Sequence, residues 1–405
     1  MSPSPPSARR ILLVDADAFF VAVARMEDPE GAGRAPLLIV GGAPGSRGVV
    51  CSASYETRKF GVRSAMPISR ALRLCPDALC VPVPRDACSR KHHEIRAVVA
   101  RFAPAVQAAS IDEWYLDLDG TDALYRGASL DEIAHRIRDA VQAQTGLSVS
   151  IGGGTSKLVA KLAVEKAKPK TGANGVHVVA AGAELEFMRQ LLLADIPGIG
   201  PKTTARLAER GLRTVNDVLA LDVAGLSRLV GDGDAAWLAE RVRGIDRGAV
   251  AEREEAKSIS RDETFGADIH DDLLLEGELT ELMSRAGADL RRDGLGARTI
   301  TVRIRDTDFR TRQASRTVDE PLASDRALYT IARDLLQKLR KARQVPARLL
   351  GVGLSNFTTP TVKQLALFDA PRAPLETAKD RELSRAVDAV RARFGRDAIA
   401  PGRKR

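Results

Sequence analysis

The sequence predicts a multidomain protein that combines α/β and α+β architecture. Three observations carry that reading. At 405 residues the chain is longer than one ordinary core accommodates. Its first 180 or so residues alternate short apolar runs with amphipathic stretches, the pattern of one α/β domain. Residues 257–357 run strand, helix, strand, strand, helix, strand, which is a ferredoxin-like order.

The elements follow in order. RRILLVDADAFF (9–20) is an apolar run ending in acids, read as a buried strand with polar groups at its C-terminal end. PLLIVGG (36–42) and GVVCSAS (48–54) give two short strands around a Gly-rich turn. Residues 55–76 hold helical stretches broken at Pro67, and 85–104 a helix ended by Pro104. VQAA and WYLDL flank SIDE as the strands of a hairpin. Residues 127–146 set Ile133, Ile137 and Val141 on one helical face, and 147–154 form a strand. From about residue 185 the pattern changes to short helices, and 248–257 is a charged linker. In the last domain Leu328, Ile331, Leu335 and Leu339 share one side of a helix. After Phe357 the chain is Pro-rich and charged, and is expected to be flexible.

Composition narrows the function. Lys and Arg number 62 against 53 Asp and Glu, a net charge of +9 that suggests a polyanionic partner. Aromatics at 4% disfavour a single-strand binder built on base stacking. No apolar run approaches a membrane span, and MSPSPPSARR lacks the apolar core of a secretion signal and reads as a short disordered leader. Cys51, Cys75, Cys80 and Cys88 then point to a reducing cytoplasm rather than a disulfide scaffold. Cys80, Cys88, His92 and His93 could be drawn as a zinc site, but the spacing is not CxxC and Pro82 and Pro84 interrupt it.

The chemistry lies in the acids. Asp112 and Glu113 are adjacent, and in a regular strand they would point to opposite faces. Placed at the bend of a hairpin they escape that alternation and converge. Any single acid at a strand end is more simply a solvated turn cap. Together with Asp15, at the end of another strand, they make three hard oxygen ligands, a set suited to Mg²⁺. Such a site supports two-metal phosphoryl transfer, in which one ion activates a hydroxyl and the other holds a triphosphate.

LVDADAFF, SYETRKFGVRSAMPI, SIDEWYLD, GGGTSKLVAKLAVEKAKP and IPGIGPKTTARL, in this order, resemble the successive signatures of the Y-family DNA polymerases, in the DinB or DNA polymerase IV branch. The resemblance spans about residues 10 to 356. It implies a right-hand polymerase with a palm (9–18 and 83–180), small fingers (19–82), a helical thumb (181–247), a linker (248–256) and a little finger (257–357), between a leader (1–8) and a tail (358–405). It implies that Asp15, Asp112 and Glu113 bind two Mg²⁺, with the Ala16 carbonyl on the nucleotide-side ion. Phe20 matches the steric gate that excludes the ribose 2′-OH, with core packing as its alternative. Tyr55, Arg58 and Lys168 match residues on the incoming triphosphate. Lys157 and Lys161 fall on a helix, Lys157 near the DNA, or else on a solvated face. The family usually has a small residue where Trp114 stands, often aromatics at Ala16 and Ala18, and often Asn at Ser156. Trp114 would alter primer-end packing or fill a core pocket, and large aromatics bury well.

The remaining motifs concern grip. IPGIGPKTTARLAERGL reads as a helix–hairpin–helix: Gly198 and Gly200 let the backbone turn, and a helix starting near Pro201, with Lys202 in its first turn, directs its positive end at phosphate. Thr299, Thr301, Arg303 and Arg305 share one strand face, and Arg310, Arg312 and Arg316 share a face of the next, a phosphate-tracking surface or simply an exposed charged one. QLALF (Gln364, Leu365, Ala366, Leu367, Phe368) resembles the bacterial sliding-clamp motif. The whole is read as a translesion DNA polymerase without proofreading. It takes primer–template DNA, dNTPs and the clamp as partners, and is a cytoplasmic, nucleoid-associated monomer. The alternatives are a two-metal transferase acting without DNA, and a polymerase-like accessory protein that has lost catalysis.

Overall fold

A computed structural model describes residues 8–169, 172–251, 256–358 and 374–399. Its contacts divide into two compact units, Met1–Glu254 and Glu255–Arg405. No helix among the described residues is long and apolar enough to cross a membrane.

The first unit opens with β1 (Ile11–Ala16), α1 (Phe19–Glu27), β2 (Leu38–Gly41), β3 (Val50–Ala53), α2 (Tyr55–Arg58), α3 (Ile68–Leu74) and β4 (Leu79–Val81). It continues with α4 (Arg85–Val99), β5 (Ala105–Ala108), β6 (Glu113–Asp117), α5 (Leu130–Thr145), β7 (Val149–Gly154), α6 (Lys157–Ala167) and β8 (Val176–Val178). Short helices follow: α7 (Glu184–Arg189), α8 (Pro201–Ala208), α9 (Val215–Leu219), α10 (Val223–Val230) and α11 (Asp232–Arg241).

Five strands form one sheet in the order β5-β6-β1-β7-β8, and β3-β2-β4 form a second, small sheet. β1 lies in the middle of the large sheet and is buried along its whole length. Leu12 and Val14 pack with Ile95 of α4 and Ile133 and Ile137 of α5. Ile11 and Leu13 pack on the other side with Ala160 and Val164 of α6. A strand covered on both faces needs an unbroken apolar run, and ILLV supplies it. On the neighbouring β7 a Cβ added to Gly152 would lie 2.2 Å from the Ala160 carbonyl oxygen, so glycine is what lets α6 close onto the sheet. The helix expected over 85–104 ends at Val99, and a turn carries the chain to Pro104. The proline ring disfavours helical backbone at the residue before it, so the helix stops short of it.

The second unit contains β9 (Ser258–Ile269), α12 (Asp272–Arg292), β10 (Gly296–Asp306), β11 (Thr311–Leu322), α13 (Asp325–Ala342), β12 (Ala347–Thr358) and α14 (Ala378–Phe394). Its sheet order is β11-β10-β12-β9, with every pair antiparallel. β12 therefore separates β9 from β10, and β10 separates β11 from β12, so each strand–helix–strand unit is split by a strand of the other. Ile300, Val302 and Ile304 face a core shared with Leu279, Leu282, Leu328 and Ile331 of α12 and α13. Asp271 and Ser324 cap those two helices by accepting backbone N–H groups.

The tail expected to be flexible over 358–405 contains α14, which starts on a capping box of Thr377 and Asp380. Its docked face is polar. Asp388 accepts Arg291 Nε at 2.6 Å and Nη2 at 2.8 Å, Asp380 accepts Arg326 Nη1 at 3.0 Å, and the Ser384 hydroxyl accepts the Asp325 N–H at 3.0 Å. Ahead of the helix, Glu376 accepts the amide N–H groups of Ala323 and Ser324. The helix docks through charge while Leu383 and Phe394 of its apolar row stay exposed, so the face that holds it is the polar one, which the charged composition of the tail disguised. The QLALF segment (364–368), residues 1–7 of the leader and residues 252–255 of the linker lie outside the described residues.

Candidate active site

Two of the three acids of the sequence motif face each other at the end of β1, and the third adjoins them in the bend. In the antiparallel register Asp15 stands opposite Glu113, the first residue of β6. Asp112 is the last residue of the bend, and its carbonyl accepts the Ala16 N–H at 2.9 Å. The adjacent pair is therefore one bend residue and one strand residue, tied to β1 through backbone bonds on either side of Asp15. The Ser110 hydroxyl donates to Asp112 Oδ1 at 2.5 Å.

Helix α6 and its C-cap bring cations to these acids. Lys168 Nζ lies 3.0 Å from Asp15 Oδ2 and 2.6 Å from Glu165 Oε1, and Lys161 Nζ pairs with Glu113. Asp15 is only 6% exposed. Burial pushes its carboxyl up to about 7, against the pull of Lys168. Burial also opposes the Lys168 charge, but Asp15 and Glu165 together outweigh it and hold the ammonium above its ordinary value. Lys161 is thus spent on a metal-motif acid rather than on a solvated face. Lys157 donates to Gln107 Oε1 at 2.7 Å and sits 4.8 Å from the Tyr115 ring centroid.

Among the described residues no three His, Cys, Asp or Glu side chains are gathered closely enough to hold an ion as they stand. The donor chemistry nevertheless fits a hard divalent cation. Asp15 and Glu113 stand opposite each other, each paired with a lysine from α6 or its C-cap, and Asp112 adjoins them in the bend, so three hard oxygen donors lie at one strand end. Asp15, Asp112, Glu113 and the Ala16 carbonyl are the groups that would hold it.

Of three further residues named from the sequence, Tyr55 and Arg58 border the same place. Tyr55 opens α2, and its phenol is raised by burial and then by Asp17, with Arg58, Lys168 and Asp15 also within electrostatic reach. Arg58 stacks over Tyr55, 5.2 Å from the ring centroid, and its Nε donates to the Ala53 carbonyl at 2.9 Å. Phe20 lies in the first turn of α1, half-buried and edge-on to Phe19 with ring centroids 5.6 Å apart. Phe19, at 2% exposure, takes the core position and leaves Phe20 the partly open one. Trp114 fills a core pocket and is fully buried.

Sequence reasoning passed over one residue beside this site and considered another in a different role. The Asp17 carboxylate accepts the Ser148 and Ser150 hydroxyls, both at 2.7 Å, which ties the chain after Asp15 to β7. Its spacing of two from Asp15 was the available signal. His92, considered only as a doubtful zinc ligand, contacts the Ile111 carbonyl and the Trp114 ring.

The grip motifs divide. Gly198 has φ +97, a conformation that favours glycine, and α8 starts at Pro201 as expected, with Lys202 exposed. Gly200 is the helix N-cap at φ −81, ordinary extended backbone, so it contributes no turn of its own. In the second unit Thr299, Thr301, Arg303 and Arg305 share the sheet face away from the helices, since Ile300, Val302 and Ile304 face the core. Arg312 is a correction. It stands opposite Ile304 in the register, on the helix-covered face. There it bonds the fully buried Asp306 at 2.9 Å and the Leu339 carbonyl. Arg316 stands opposite Ile300 on that same face, and Arg310 is exposed in the turn. Alternation within β11 gave the right period, but only the cross-strand register decides which face is which.

Comparisons with known proteins agree with this architecture. The model of the impB/mucB/samB family matches residues 14–165, that of its C-terminal domain residues 256–367, and that of a SAM-like helix-hairpin-helix tandem residues 191–241. The chain is 36% identical over 397 residues to a DNA polymerase IV of Dehalococcoides mccartyi, covering 98% of each chain. It is 34% identical to a DNA polymerase IV of Caulobacter vibrioides, over 96% of this chain and 93% of that one. Among solved structures, a Y-family DNA polymerase chimera built on Dbh superposes with a TM-score of 0.76 at 26% identity, covering 86% of this chain and 98% of the other. DinB from Sulfolobus solfataricus superposes with a TM-score of 0.56 at 26% identity, over 85% and 98%.

The two hairpin glycines should respond differently to alanine. A Cβ on Gly198 would meet Trp237 at 2.9 Å on left-handed backbone, whereas one on Gly200 would meet nothing within 4 Å. Gly198→Ala is expected to lower stability by about 1–3 kcal/mol and Gly200→Ala by less than about 0.5 kcal/mol, read from thermal or urea unfolding. Equal losses would contradict the turn geometry.

Proposed function

The chain belongs to the Y family of DNA polymerases, in its DinB or DNA polymerase IV branch, and from that premise we propose how its own residues carry the reaction. It is a DNA-directed DNA polymerase of the translesion type, which extends a primer on template DNA with dNTPs and requires a divalent metal. The observation that supports the site assignment is the register that sets Asp15 against Glu113 while Asp112 bonds Ala16.

In our reading Asp15, Asp112 and Glu113 hold two Mg²⁺ ions, with the Ala16 carbonyl as a further ligand. When bound, the ions supply Lewis acidity to the primer hydroxyl and neutralise the triphosphate. Lys168, which otherwise balances Asp15, passes to the phosphates. Tyr55 and Arg58 orient the triphosphate from the fingers side, where a planar guanidinium suits phosphate oxygens. Phe20 presents its exposed edge to the sugar as the steric gate. The Gly198–Lys202 turn and the Arg303 and Arg305 face hold the DNA backbone without reading sequence. Palm (9–18 and 83–180), fingers (19–82), thumb (181–247) and little finger (257–357) are the corresponding parts of the chain. QLALF (364–368) is a docking peptide for the sliding clamp of a cytoplasmic, nucleoid-associated monomer.

Primer extension with Mg²⁺ and dNTPs tests the site. Asp112→Ala should abolish extension while leaving primer–template affinity within about threefold, and Phe20→Ala should keep extension and admit ribonucleotides. Full activity in the first variant, or unchanged sugar selectivity in the second, would remove the corresponding assignment.

The clamp assignment calls for substitution rather than truncation, because cutting the tail also removes the docked α14. Alanine at Gln364, Leu367 and Phe368 together should leave unassisted extension intact and eliminate stimulation by a loaded clamp. Persistent stimulation would place clamp contact elsewhere.

A further inference from the structure

Beyond its own backbone and Ser110 bonds, the bend that leads through Asp112 to Glu113 is contacted by an imidazole from α4. His92 Nδ1 lies 2.8 Å from the Ile111 carbonyl oxygen, and because a carbonyl only accepts, Nδ1 is the protonated nitrogen. The same ring stacks on the Trp114 indole, with centroids 5.2 Å apart and planes inclined by 29°. Ile111 immediately precedes Asp112, and Trp114 immediately follows Glu113. One side chain therefore grips the chain on both sides of the two acids. Trp114 is fully buried and stands opposite Val14, the residue before Asp15, so the stack is anchored in the core beneath the third acid as well. On the α4 side the bend borders an open cavity lined by Ser89, His92, Ala108, Ala109, Ser110 and Ile111, not packed core.

We propose that His92 is a positioning residue for catalysis, which fixes the Asp112–Glu113 bend by donating to the Ile111 carbonyl while seated on Trp114. The inference rests on the reading of Asp112 and Glu113 as metal ligands. It also gives Trp114 a purpose beyond filling space: the indole is the platform that lets a side chain from α4 reach the bend. Metal ligands must be held within a fraction of an ångström of their working positions, so loosening the bend affects metal use more than nucleotide binding.

Two substitutions separate the contacts. His92→Phe keeps a ring on Trp114 and removes the donor. His92→Asn keeps a donor near the Nδ1 position and removes the ring. His92→Phe is expected to lower kcat by about threefold to tenfold, the worth of one hydrogen bond, with the KM for dNTP unchanged. It should raise the Mg²⁺ concentration for half-maximal activity by a similar factor. Mn²⁺ binding should weaken in parallel, measured by electron paramagnetic resonance on the complex with a dideoxy-terminated primer–template and dNTP. His92→Asn should fall between the wild type and His92→Phe. A His92→Phe enzyme with the wild-type metal midpoint and Mn²⁺ affinity would overturn the proposal. So would a reduced amplitude at an unchanged midpoint, which is what loss of folded protein produces. Asp112→Ala in the same assays keeps the two claims apart. If it is inactive while His92→Phe behaves as wild type, only the His92 assignment fails; if it stays active, the metal-ligand reading itself has failed.

Discussion

A carboxylate at the end of a fully buried strand organises the first unit. Asp15 is the point at which the apolar run of β1 reaches the site, and an ionised group there is costly unless other charges answer it. The answer comes from the neighbouring β7–α6 segment. Glycine in β7 allows α6 to lie against the sheet, α6 carries Lys161 to Glu113, and its C-cap delivers Lys168 to Asp15. On the other side the β5–β6 hairpin places Asp112 and Glu113 against the same strand end. The fold thus concentrates negative charge at this strand end and balances it with two lysines. Removing either side of the balance leaves a buried charge exposed to the full cost of desolvation, which explains why so much of the unit converges on six residues of strand.

Much of this was legible in the sequence because the signals are local. Apolar runs, Gly and Pro punctuation and the spacing of acids gave the strands, the hairpin and the motif residues. The adjacency of Asp112 and Glu113, odd for a strand, identified the bend before its geometry was known, and the size of Trp114 foretold its burial. What was not legible depends on partners distant in the chain. The face of β11 is set by its pairing with β10, so Arg312 and Arg316 go to the helix side although the period of two was read correctly. The docking of α14 depends on Arg291 and Arg326, nearly 100 and about 54 residues away, and uses polar residues rather than its apolar row. The role of His92 depends on a ring stack that no spacing rule encodes.

The second unit shows the same economy with a different chemistry. One face of its sheet is closed by α12 and α13, and the other presents Thr299, Thr301, Arg303 and Arg305. Arg303 is itself restrained at 3.3 Å by Asp262 on β9, and Arg305 by the Thr311 hydroxyl at 2.9 Å. Cations held in place by neighbours lose less side-chain freedom on meeting a phosphate than free ones would. Arg312 and Arg343 work in the opposite sense, because both are spent on the buried Asp306 and stabilise the unit rather than extend its reach.

The balance of charge at the strand end is the claim on which the rest stands, and a double-mutant cycle between Asp15 and Lys168 measures it directly. Stability of the metal-free protein would be determined for Asp15→Asn, Lys168→Met and the double variant by urea unfolding. The account predicts strong coupling, with Lys168→Met costly alone and nearly neutral in the Asp15→Asn background, an interaction of about 1–3 kcal/mol. Losses that add to within about 0.5 kcal/mol would contradict it, and would mean that the buried carboxylate does not depend on the lysine beside it.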